Sequence, residues 1–194
     1  MITSILRATG PLIGVALLAA VSGAMAERAD NSKPMQIAAD AMRYDDVKQT
    51  SVWTGNVIAT KGTIVIRGDV VEVREDAEGY QHGTVTGNAK KRAFFRQKRD
   101  SVDEFMEGES ESIVYDGKKD VIQFVKNAEV RRYRGTTLAD EIKGTLIVYE
   151  NLNDRFSADG SSPVTGVGSG RVSATISPKP AAQRAAAKAE STPK

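Results

Sequence analysis

TGNVIATKGTIVIRGDVVEV, residues Thr54 to Val73, decides the fold. Its apolar residues recur with a period of two. Ile64 and Ile66 share one face, with Val65 and Arg67 on the other. Gly68-Asp69 interrupts the run. Val71 and Val73 then share a face, opposite Glu72 and Arg74. A stretch rich in Val, Ile and Thr and punctuated by Gly is strand and turn chemistry. Two echoes follow: TGNAKKRAFF (Thr86 to Phe95) and KNAEVRRYRGTTLADEIKGTLIVY (Lys126 to Tyr149). Tyr44-Asp45 matches Tyr115-Asp116, and Asn56 matches Asn127, at an offset of 71. Ile66–Val73 matches Ile142–Tyr149 at an offset of 76, so a five-residue insertion falls around Tyr133 to Ala139. Val71 then aligns with Ile147 and Val73 with Tyr149. A repeated hairpin that cannot bury its face alone must stack on its neighbour.

Working outward, further strands are predicted at 35–38, 41–44, 51–53, 57–60, 83–86, 89–95, 105–107, 112–115, 121–125, 129–133, 138–142, 145–149, 155–158 and 171–176. Turn signals at Asp45-Asp46, Gly55-Asn56, Gly87-Asn88, Asp116-Gly117 and Asn127 separate them. Asn56 and Asn127 read as turn residues that accept left-handed backbone. No long 3.6-period segment is present. The expectation is an all-β sandwich, roll or barrel.

The ends read differently. Arg7, the apolar run Pro11–Val21 and Ala24-Met25-Ala26 form a secretory signal peptide over 1–26, cut after Ala26. Residues 27–33 are a polar lead and 34–177 a single domain. Residues 178–194 are an Ala, Lys and Pro rich tail, expected to be disordered because it has almost nothing bulky to bury. The chain carries 27 Lys and Arg against 25 Asp and Glu. Setting aside Arg7 in the leader, and Lys179, Arg184, Lys188, Lys194 and Glu190 in the tail, leaves 22 basic and 24 acidic residues, a net of −2. That balance argues against a nucleic-acid partner. With no cysteine, disulfides and thiol chemistry are excluded.

No constellation for catalysis stands out. The single histidine, His82 in GYQHGT, reads as a surface loop residue. GVGSG (Gly166 to Gly170) lacks the ending of a phosphate loop and reads as a turn. Asp45-Asp46 and Asp103-Glu104 occupy turn-like contexts. The basic clusters KKRAFFRQKR (Lys90 to Arg99) and RRYR (Arg131 to Arg134) read as solvated strand faces, with phosphates of an anionic lipid as the alternative partner.

Three features together resemble the OstA-like family. They are KPMQIAAD (Lys33 to Asp40), the TGNV-to-VEV block, and a later N-A strand with IKG-x-x-I-x-Y. Lys126-Asn127-Ala128 stands where that family carries T-G-N. The resemblance implies an open, twisted antiparallel β-jellyroll in the periplasm, with no catalytic activity, cofactor or metal. It implies binding of lipopolysaccharide, with lipid A in an apolar trough. It also implies head-to-tail association with further copies, with LptC at the inner membrane and with LptD at the outer membrane. The expected lipid-binding residues are Met35 and Ile37 on the entry strand, then Ile64, Ile66, Val71 and Val73. Phe94 is expected mid-trough. Tyr115, Ile122, Phe124, Ile142, Ile147 and Tyr149 would line the second copy. Each buried methylene stabilises by about 0.8 kcal/mol, so a multiply acylated lipid needs such a trough to cross water. The competing readings are a ligand-free structural β-polymer, an LptC-like or LptD amino-terminal-like member, and a hydrolase.

Overall fold

The computed structural model describes residue 30 and residues 33–99, 103–161 and 170–178. The signal peptide, most of the tail and most of GVGSG lie outside the described residues. The described chain forms twelve strands: β1 Gln36–Ala38, β2 Ala41–Asp45, β3 Thr50–Lys61, β4 Ile64–Glu75, β5 Gln81–Thr86, β6 Ala93–Lys98, β7 Glu104–Ser110, β8 Ser112–Asp116, β9 Val121–Arg134, β10 Thr137–Glu150, β11 Arg155–Asp159 and β12 Ser173–Ile176. Asn151–Asn153 is a single 3-10 turn.

The expected turns at Gly55-Asn56 and Asn127 are corrected: both are bulges inside continuous strands. Gly55 (φ 78°) and Asn56 (φ 47°) take left-handed backbone, and the β3–β4 register slips between Thr54 and Val57. Lys126 (φ 62°) and Asn127 (φ 50°) do the same in β9. Each bulge is tied from outside in the same way. Asp40 donates its backbone N–H to the Gly55 carbonyl, and Asn56 Nδ2 donates to Asp40 Oδ2 at 2.9 Å. Glu111 donates to the Lys126 carbonyl, and Asn127 Nδ2 to Glu111 Oε1 at 2.6 Å. Pairs of short predicted strands therefore fuse into β3, β4, β9 and β10. A second correction concerns 89–95. Asn88 Oδ1 accepts from the amides of Lys90 and Lys91, which makes a turn, and β6 starts only at Ala93.

A bulge bends its strand, and here it passes each long strand from one layer to another. The first halves of β3 and β9 and the second halves of β4 and β10 belong to the layer β2-β3-β4-β5-β8-β9-β10-β11. The remaining halves belong to β1-β3-β4-β6-β7-β9-β10-β12. All pairings are antiparallel. The inner faces share one core, in which Phe95 of β6 meets Phe124 of β9 edge-on at 6.2 Å. This is an all-β jellyroll.

The duplication extends to connectivity. β1–β6 and β7–β12 each make the same pairings in the same order. The repeats join where β5 pairs β8 and β6 pairs β7. The inserted residues lengthen the second hairpin, whose strands have 14 residues against 12 in the first, with a further irregularity at Ala139 between Leu138 and Asp140.

Candidate functional site

Between the layers, in the first repeat and at the joint, lies a cavity of about 600 Å³. Ile64, Ile66, Ala59 and Phe95 line it from one layer, and Val71, Val73, Val85, Ile113, Tyr115 and Ile122 from the other. Strict alternation would send Ile64 and Val71 to opposite sides. The break at Gly68-Asp69, opposite the β3 bulge, shifts the phase by one residue and turns both pairs inward. Met35 and Pro34 close one flank, with Lys33 and Lys61 at the rim.

Of the expected lipid-binding residues, Met35, Ile64, Ile66, Val71, Val73, Tyr115 and Ile122 line this cavity. Phe94 does not, which corrects its placement. β6 alternates from Ala93, so Ala93, Phe95 and Gln97 face in. Phe94 faces out beside Arg67, whose guanidinium lies 5.2 Å from its ring centre. Nothing in the adjacent pair Phe94-Phe95 distinguishes them; pairing with β4, which sets Phe95 opposite Ile66, does. Phe124, Ile147 and Tyr149 are fully buried in the packed second repeat, off the cavity, where Tyr149 stacks on Phe156 at 4.5 Å. Ile37 and Ile142 pack against the core without lining the cavity.

The polar rim holds another correction. His82 is not a loop residue; it lies half-buried in β5. Its Nε2 is 2.9 Å from Asp76 Oδ2, and its Nδ1 is 3.7 Å from Asp116 Oδ1 across the joint. The hydrogen bond from His82 lowers the Asp76 pKa. Inside the mouth, burial and the neighbouring Asp120 push the Tyr115 phenol up to about 12, so it stays a neutral donor. Asn151 Nδ2 donates to Asp120 Oδ2 at 3.0 Å.

The basic clusters are paired rather than merely solvated. Arg92 bridges Glu109 (2.5 Å) and Glu129 (3.0 Å). Arg131 reaches the same two carboxylates, each at 2.9 Å. Arg96 pairs with Glu107, and Arg132 with Asp140. Arg131 first, and Arg92 after it, hold Glu129 down at about 2. Glu104 is a buried partner of Arg99 and Arg134. Among the described residues no cluster of His, Cys, Asp or Glu is arranged to hold a metal ion.

The fold and cavity define a class: a duplicated β-jellyroll with an apolar interior reachable from solvent. Residues 36–155 match the family model "LptA/(LptD N-terminal domain) LPS transport protein". The chain is 31% identical over 154 residues to the lipopolysaccharide export system protein LptA of Escherichia coli K12, covering 79% of this chain and 81% of that protein. It is 26% identical to the Haemophilus influenzae LptA, covering 75% and 81%. The crystal structure of Pseudomonas aeruginosa LptH, described as the LptA homologous periplasmic component of the lipopolysaccharide transport device, aligns with a TM-score of 0.66. That alignment has 23% identity and covers 77% of this chain and 99% of LptH. The chain belongs to the LptA/LptD N-terminal-domain family of LPS transport proteins.

Proposed function

We propose that this chain is a periplasmic bridge that binds lipopolysaccharide and passes it from the inner to the outer membrane, without catalysis. The cavity carries the reading. Its volume falls within the roughly 300–1,000 Å³ range of ligand sites, and its walls are apolar with polar groups at the rim. A ligand-free polymer would fill this space, as the second repeat does. The signal peptide read in the sequence supports the periplasm, and the LPS transport relatives support the cargo. Met35, Ile64, Ile66, Val71, Val73, Tyr115 and Ile122, with Phe95 added, would contact the acyl chains. The mouth is where Lys33 and Lys61 would meet anionic groups.

The chain would assemble head to tail, with LptC at one end of the series and LptD at the other. The joint between its own repeats supplies a template. There, β5 pairs β8 with His82 opposite Asp116 and Val85 opposite Ile113. Translated by the duplication, β11 would pair β2 of the next copy, with Arg155 opposite Asp45, Phe156 opposite Tyr44 and Ala158 opposite Met42. β12 would pair β1, with Ile176 opposite Met35. Met42, Tyr44 and Ile176 are 51%, 54% and 75% exposed on these edges, an aggregation hazard unless a partner covers them.

The test is a photo-crosslinking amino acid at Phe95 or Ile66, with Phe94 and Val65 as outward controls, irradiated with purified lipopolysaccharide. Adducts at the first pair alone are expected. Folded protein with no adduct at either inward site would sink the conduit reading.

A further inference from the structure

Arg92, just ahead of β6, reaches across the joint between the repeats. Its Nη1 donates to the Asn127 carbonyl at 2.8 Å, and its Nη2 bridges Glu109 of β7 and Glu129 of β9. The same cation recurs at the free end of the chain. Phe94 of β6 pairs with Arg67 of β4, and Ser173 of β12 pairs with Lys143 of β10. Arg67 and Lys143 are equivalent in the duplication, so Phe94 corresponds to Ser173 and Arg92 to Arg171. Arg171 is exposed and forms no ion pair among the described residues. It borders an outer recess of about 360 Å³ with Arg92, Lys143 and Glu129. The three cations there face one carboxylate, which Arg92, Arg131 and Lys143 already share.

We propose that Arg171 makes the C-terminal edge selective for a jellyroll partner whose docking edge carries two carboxylates, over a second copy of this chain. This rests on the head-to-tail reading above, in which β12 pairs β1 of the next unit. Glu109 and Glu129 pair with each other across β7 and β9; Ala38 and Ile58 occupy the same positions across β1 and β3. Both are exposed. A second copy therefore offers Arg171 the Asn56 carbonyl, the counterpart of Asn127, but a carboxylate at neither position. Asp40, like its counterpart Glu111, is committed to the asparagine of its own bulge. Hydrogen bonds from a guanidinium to carboxylates are stronger than one to a neutral carbonyl. A cation covered at a joint without an anion also loses water uncompensated. Strand pairing admits any matching edge, and Arg171 discriminates among them.

A competition between docking edges tests this. The donor is the full chain with Ala158→Cys. Two acceptors carry Met42→Cys, one otherwise native and one with Ala38→Glu and Ile58→Glu, told apart by tags of different size. Oxidation in a thiol buffer traps whichever acceptor is docked. The native donor is expected to capture the acidic acceptor on the order of tenfold more often. A donor with Arg171→Gln should capture both equally. An acceptor with Ile58→Glu alone should show part of the preference, and thermal melts check that each acceptor is folded. Equal capture of folded acceptors by the native donor would overturn the selectivity while head-to-tail pairing stands. A preference that survives in R171Q would overturn the role of Arg171. No cross-linked product with either acceptor would remove the head-to-tail reading and this one with it.

Discussion

Phe94 and Phe95 are chemically identical neighbours with opposite fates. One lies under Arg67 on the outer face; the other closes the cavity against Ile66 and meets Phe124. Gly108 shows a different constraint at the same scale. A Cβ there would sit 2.1 Å from Phe124 Cε1, so the ring lies directly on the β7 backbone. Gly108→Ala is therefore expected to lower stability by about 1–3 kcal/mol through overpacking. Thermal melts should show Phe124→Leu recovering part of that loss in the double variant. An unchanged melting temperature in G108A would mean the ring is free to move aside.

At the scale of elements, the two bulges decide the architecture, and they differ in one residue. The first has Gly55 where the second has Lys126, although both take positive φ. A non-glycine side chain in that conformation costs about 1 kcal/mol. Lys126→Gly should accordingly raise the denaturation midpoint, in contrast to most strand glycines, which weaken a strand. Gly55→Ala should lower it, since the new Cβ would fall 2.3 Å from Asp40 Oδ2. Hairpin and repeat were legible in the sequence because alternation and Gly-Asn spacing are local. That Gly55-Asn56 bends one strand rather than separating two was not, because bulge and turn share the same left-handed backbone. Only the register of β4 across from it distinguishes them.

Across the whole molecule, the repeats are held by paired strands and by an outer ion-pair ladder. Arg92, just ahead of the last strand of the first repeat, ties to Glu109 and Glu129 of the second. Glu129 is held at about 2, below its ordinary value of 4.5. Its charged form therefore favours the fold above pH 4.5. That contribution fades as pH falls from about 4.5 toward about 2. Urea midpoints measured across this window should drop more steeply for the native chain than for Glu129→Gln. Equal slopes would mean that Glu129 is not linked to folding. The proposed head-to-tail register can be trapped covalently, since the chain has no cysteine of its own. A chain with Met42→Cys and Ala158→Cys should form an oxidised ladder of multimers. Moving the second cysteine to Ser157 places it on the other face and should abolish the ladder. Ladders of equal yield from both would refute the register.

Period-two alternation, strand chemistry and the spacing of the two copies are properties of the chain read in one dimension. They were sufficient for an all-β fold with internal duplication and for the inward faces at Ile64, Ile66, Val71 and Val73. What lies inside that face required pairing. Register chose Phe95 over Phe94, drew His82 between Asp76 and Asp116, and matched the basic clusters with carboxylates from distant strands. Tertiary structure alone also decided that the second repeat is packed and the first is open. In the second, Gly108 admits the Phe124 ring; in the first, the aligned position is Ile37, and the cavity lies among Ile64, Ile66, Val71 and Val73. The physical reason is that alternation specifies a direction for each side chain, whereas filling a volume depends on which side chains from other strands point into it.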